Sequence, residues 1–166
     1  MFRSLDQIGT LIIHCADTPN GRWTTVDEID DWHRARGWKR GEAERKLCQP
    51  ELTSIGYQFV IYTDGMVMPG RGIFEVGAHA AGYNTPSIGI CLIGRDAFRM
   101  AQWDALKRKI AELKEELARG VKVGSFVREI KIIGHRQVNP AKTCPGFDVP
   151  DWLAAGMVPK AKHVLQ

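Results

Sequence analysis

The sequence predicts an α/β domain, a mixed central β-sheet flanked by helices. Three observations carry this expectation. Short β-branched apolar runs alternate with helical periodicity along the chain, an Asp64-Gly65 pair marks one hairpin, and 166 residues suit a single domain over 1–166.

The first run, "IGTLIIHC" at 8–15, reads as a buried strand ending at His14, and "ADTPNGRW" after it is turn chemistry. Thr25 with Glu28 makes a capping box that opens a helix. Val26, Ile29, Trp32 and Ala35 form its expected buried face, and Gly37 ends it. Residues 38–55 are charged, contain Gly41 and Pro50, and have no clean period, so 39–55 reads as an insertion or long loop. "GYQFVIYTDGMVMPGR" gives the hairpin, "GAHAAGYNTPS" a loop, and "IGICLIG" (88–94) a second buried strand.

Trp103, Leu106, Ile110, Leu113 and Leu117 recur at helical spacing, with Glu112, Lys114, Glu115 and Glu116 outside and Gly120 as the stop. Such a stripe is expected to face the core. "REIKIIGH" is a further strand that ends at His135, and "DVPDWLAAG" is a short helix with Pro150 in its first turn.

Composition narrows the function. At 44% hydrophobic and 25% charged the chain is ordinary globular protein. The formal charge of +4 favours anionic surfaces only mildly, and no concentrated basic run or motif points to nucleic acid. No run of about eighteen apolar residues exists, so no membrane insertion is expected. The first twenty residues lack the apolar core and cleavage site of a signal peptide, which places synthesis and retention in a cytoplasm. Cys15, Cys48, Cys91 and Cys144 are then expected reduced.

His14 and His135 stand at strand ends, and Cys144 sits in the Pro- and Gly-bounded loop "GHRQVNPAKTCPG". Two imidazoles and a thiolate are a three-ligand zinc set that leaves a fourth position for water. Residue types alone leave a second reading open, in which His14 is a satisfied core histidine and Cys144 a buried thiol.

The segments "LIIHCADTP", "EIDDWHRARGW", "GYQFVIYTDG", "GRGIFEVGAHAAGYNTPSIGICLIG" and "GHRQVNPAKTCPGFD" occur together in this order. From about residue 8 to about 153 the chain resembles the zinc-dependent N-acetylmuramoyl-L-alanine amidases of the type 2 amidase family. Its nearest likeness is to the small amidase lysozymes of T-odd coliphages, and peptidoglycan-recognition proteins are more distant relatives. The resemblance implies one Zn2+ per chain, held by His14, His135 and Cys144, with Tyr57 and Lys142 as catalytic residues. It implies Arg71, His79 and Asn84 along the substrate groove. The implied substrate is bacterial peptidoglycan, cut at the amide between N-acetylmuramic acid and L-alanine.

A phage endolysin, made in the host cytoplasm and acting on the periplasmic wall after release, is the leading reading. A cytosolic amidase that recycles muropeptides and a non-catalytic peptidoglycan-binding protein are the alternatives. The phage resemblance adds a phage RNA polymerase as a further candidate partner, and the chain is expected to be a monomer. Trp23, Trp38 and Trp152 could stack on sugar but are expected in the core, Cys15 and Cys91 as packed thiols, and His33 and His163 on the surface. The 39–55 stretch, longer than in the short phage enzymes, is expected to be able to overhang the groove.

Overall fold

The β-branched run at the start of the chain pairs in the middle of the sheet. In the computed structural model, which describes residues 1–119 and 129–166, β1 (Thr10–Cys15) is flanked by β4 (Ser87–Leu92) and β5 (Lys131–Gly134), both parallel to it. β2 (Phe59–Ile61) runs parallel along the other side of β4, and β3 (Val67–Pro69) returns antiparallel to β2. The order is therefore β3-β2-β4-β1-β5, the mixed sheet expected. Every residue of β4 is buried, because a parallel strand covered on both faces has no polar side to show. The hairpin turn forms as expected: Gly65 N–H donates to Tyr62 O (2.9 Å), and Asp64 Oδ1 accepts from Met66 N (2.9 Å).

Alternation along β1 sends Leu11, Ile13 and Cys15 to one face. There α3 (Met100–Arg119) lays down Trp103, Leu106, Ile110, Leu113 and Leu117, the stripe read from the sequence. Trp152 of α5 (Val149–Ala154) packs on Trp103 at 5.6 Å between ring centroids and is core as expected. Gly120, expected to end α3, and Arg128, expected at the head of the β5 run, lie outside the described residues. Among the described residues no helix is long and apolar enough to cross a membrane.

The opposite face is covered by α1 (Val26–Ala35) and the segment after it. Thr25 caps α1 as expected, its hydroxyl accepting from Glu28 N while the Glu28 carboxylate accepts from Thr25 N (2.8 Å). The buried face differs from the expectation. It is Val26, Ile29, Asp30 and His33, while Trp32 and Ala35 point outward. Asp30 Oδ1 accepts from Ser54 N and Ile55 N (2.6 Å each), and His33 Nδ1 accepts from Gly56 N (3.0 Å). Polar side chains are buried here because they satisfy backbone donors of a crossing segment. His33 is thus corrected from surface to interior.

That crossing segment is not the open loop expected for 39–55. It contains α2 (Glu42–Leu47), and it buries Arg40, Leu52 and Ile55. The Arg40 guanidinium pairs with Glu75 (Nη2 to Oε2, 2.7 Å) and donates to the Cys48, Gln49 and Leu52 carbonyls. Every part of this guanidinium has a partner, so one side chain pins the whole excursion against the domain.

Candidate metal centre

β1 and β5 lie side by side with Ile13 opposite Gly134. The next residue on each chain is a histidine, so His14 and His135 leave the sheet at the same level, their ring centroids 4.6 Å apart. His135 opens the short helix α4 (His135–Val138), and the chain then turns back. Arg136 N–H donates to Cys144 O (3.0 Å), which holds the cysteine loop against α4. Gly146 closes this loop at φ +88°, and a Cβ there would meet Arg95 O at 2.1 Å, so only glycine fits.

The donor atoms of His14, His135 and Cys144 all lie within 4.8 Å of one another. Cys144 Sγ is 3.8 Å from His14 Nδ1 and accepts the Cys15 N–H at 3.1 Å. Burial and the neighbouring His79 push His14 well below the usual histidine range, and burial and the Lys142 charge lower His135. Both rings are therefore neutral with lone pairs to give. The adjacent Cys15 thiol and burial hold the Cys144 thiol up. A dication beside it supplies the compensating charge that favours the thiolate. Two neutral imidazoles, one sulfur and a backbone N–H behind that sulfur fit a zinc ion.

His135 and Cys144 line a cleft of about 530 Å³, with His14 buried beside them. Tyr57, half-buried, lines it with its ring 5.1 Å from that of His14. Burial and nearby thiols raise its phenol well above the ordinary tyrosine range, so it is a hydrogen-bond donor at neutral pH. Lys142 lines the same cleft from the exposed loop, its backbone N–H bound to Asn139 O (2.9 Å).

The remaining expected groove residues are placed differently. Arg71 does not line the cleft. It is buried, with Nε donating to Ile55 O (2.6 Å), Nη1 to Val76 O (2.7 Å), and Glu75 at 3.3 Å. Asn84 lines the cleft, yet its Oδ1 is occupied by the N–H groups of His79 (2.8 Å) and Ala80 (2.9 Å). His79 lines the cleft while almost wholly buried.

The cleft walls include residues the sequence reading did not place there. Trp38, expected in the core, lines the cleft over His33 (4.4 Å between rings), with the Arg36 guanidinium 5.9 Å from its ring. Arg95, paired with Asp17 at 2.7 Å, forms another part of the rim. Arg95 follows the C-terminal end of β4, and strand ends of this kind are where open α/β sheets place ligands; that signal was present in the sequence. Trp23, also expected in the core, is exposed against Tyr62. Cys91 is fully buried as expected, and all four cysteines are free thiols.

A mixed sheet that ends two adjacent parallel strands in histidines beside a loop cysteine, next to an open cleft, has the arrangement of a hydrolase with a candidate metal centre. Residues 4–147 match the family described as N-acetylmuramoyl-L-alanine amidase, and the chain belongs to that family. It is similar to the endolysin of Klebsiella phage KP32, 32% identical over 170 residues that cover 98% of this chain and 96% of that one. Among solved structures, it is similar in fold to an endolysin N-acetylmuramoyl-L-alanine amidase of Clostridium intestinale, with a TM-score of 0.69 at 23% identity, covering 95% of this chain and 88% of that one. Drosophila peptidoglycan-recognition protein LB superposes with a TM-score of 0.65 at 28% identity, covering 95% and 85%. The family read from the motifs is borne out.

Proposed function

We propose that this amidase is a zinc-dependent endolysin, with His14, His135 and Cys144 as the metal ligands and Tyr57 and Lys142 as the catalytic side chains. The observation that carries the reading is the convergence of the three donor atoms within 4.8 Å of one another, two of them from residues that line the cleft. The phage relatives named endolysins support a cell-wall substrate, peptidoglycan, cut between the lactyl carbonyl of N-acetylmuramic acid and L-alanine.

Zinc, when bound, lowers the pKa of water toward ~7 and polarises the carbonyl. The side chains do the rest. Negative charge builds on the carbonyl oxygen as the amide is attacked, and Lys142 meets it with an ammonium from the loop that carries Cys144. Removal of one such donor typically costs on the order of 2.7–4 kcal/mol in barrier. Tyr57, held protonated by burial, contributes an O–H donor beside His14 and not a base. Arg71, bonded into the framework and away from the cleft lining, serves structure and not substrate contact.

Digestion of purified murein tests the reading. New alanine amino termini that disappear with a chelator and return with zinc are expected; new reducing sugar ends would assign a different bond. Release from intact sacculi, and not from soluble muropeptides alone, is expected of an endolysin as opposed to a recycling amidase.

A further inference from the structure

His79 touches the centre from behind. Its Nδ1 lies 3.0 Å from His14 Nε2, with the two rings nearly perpendicular at 85°. His14 turns its other nitrogen, Nδ1, toward Cys144 Sγ. An imidazole binds a metal through a lone pair, so the nitrogen facing the ligand cluster is bare and the proton sits on Nε2. That Nε2–H must then donate, and His79 Nδ1 is the acceptor in its path. Among the described residues His79 Nε2 has no hydrogen-bond partner, and the ring contacts His14 through Nδ1.

Two features hold the acceptor in place. A Cβ at Gly89 would meet His79 Cγ at 2.6 Å, and one at Gly77 would meet Cδ2 at 2.5 Å, so two glycines make room for the ring. Asn84 fixes the backbone on which it hangs through the N–H groups of His79 and Ala80.

We propose that His79 is a positioning residue: by accepting the Nε2–H of His14 it fixes the tautomer and the ring orientation that aim His14 Nδ1 at the metal. The proposal rests on the zinc reading above. It gives His79 a role other than the substrate contact expected from the sequence, and it gives Gly77, Gly89 and Asn84 a common purpose.

The test compares His79→Ala, His79→Asn and Gly89→Ala with the full-length parent. Asparagine restores an acceptor near the Nδ1 position, and Gly89→Ala displaces the ring while leaving every ligand unchanged. Zinc affinity is read by chelator competition, and the His14 ring N–H is read by long-range 1H–15N NMR. His79→Ala is expected to weaken zinc binding by about 10–100-fold and to remove the slowly exchanging Nε2–H signal of His14. His79→Asn is expected to recover most of both, and Gly89→Ala to weaken binding in the same direction. Parental zinc affinity in His79→Ala, or an asparagine variant no better than alanine, would overturn the proposal. A parent that binds no zinc would instead overturn the metal reading, and the His14 signal of the zinc-free protein would still report the His79 contact.

Discussion

The two faces of the sheet are held by different physics. On the α3 face, Trp103, Leu106, Ile110, Leu113, Leu117 and Phe147 exclude water with almost no polar group among them. On the α1 face, apolar packing is interleaved with Asp30, His33, Arg40, Arg71, Glu75 and His79, each buried and most bonded to backbone or to one another. The candidate metal centre takes His14 from this second face, since His14 follows Ile13 and turns away from α3. Apolar burial is insensitive to pH; satisfied polar burial is sensitive to pH and to the exact placement of each partner. A site that needs neutral histidines and oriented lone pairs is built where orientation is enforced.

Substitutions sharpen that contrast. On the polar face, Arg40→Ala is expected to cost about 3–5 kcal/mol in urea unfolding, because Glu75 and three carbonyls lose their donor in the interior. On the apolar face, Leu106→Ala is expected to cost about 2–5 kcal/mol, with the loss equal at neutral and acidic pH and zinc binding unchanged. A pH-dependent Leu106 loss would break the distinction between the faces.

The pH response itself comes next in size. Burial, with Arg36 beside it, lowers His33 from 6.5 to about 4. Its unfolded form therefore takes up a proton first as pH falls, so the stability it contributes is complete above about 6.5 and is lost on the way down to about 4. His33→Asn keeps an acceptor for Gly56 N–H but cannot titrate. Between pH ~7 and ~4.5 the parent is expected to lose up to roughly 3 kcal/mol more than this variant. Equal losses would remove His33 from the account. The smallest effect is expected at Leu47, where replacement by Gln should change stability by less than about 0.5 kcal/mol because the side chain is 78% exposed.

The same contrast explains what could be read in advance. β1, β4 and α3 were legible because their burial is decided by local apolar pattern. His14 and His135 were legible as strand ends, and their meeting follows from the parallel pairing of β1 with β5. The face of α1 was not legible: hydrophobicity nominates Trp32, whereas backbone donors at 54–56 select Asp30 and His33. Arg71 has the look of a groove residue, but Glu75 and the carbonyls that claim it come from pairings no local pattern records. Segment 39–55 read as loose because its order comes from Arg40 and its distant partner Glu75.

The central claim is that His14, His135 and Cys144 hold zinc while Lys142 serves the reaction. Elemental zinc analysis of the parent, Cys144→Ser and Lys142→Ala, paired with murein turnover, tests it most directly. The account predicts a single zinc per chain in the parent and in Lys142→Ala, with the lysine variant slowed on the order of 10²–10³-fold. Cys144→Ser should lose both metal and turnover. Zinc lost from Lys142→Ala, or zinc and turnover both retained by Cys144→Ser, would contradict it.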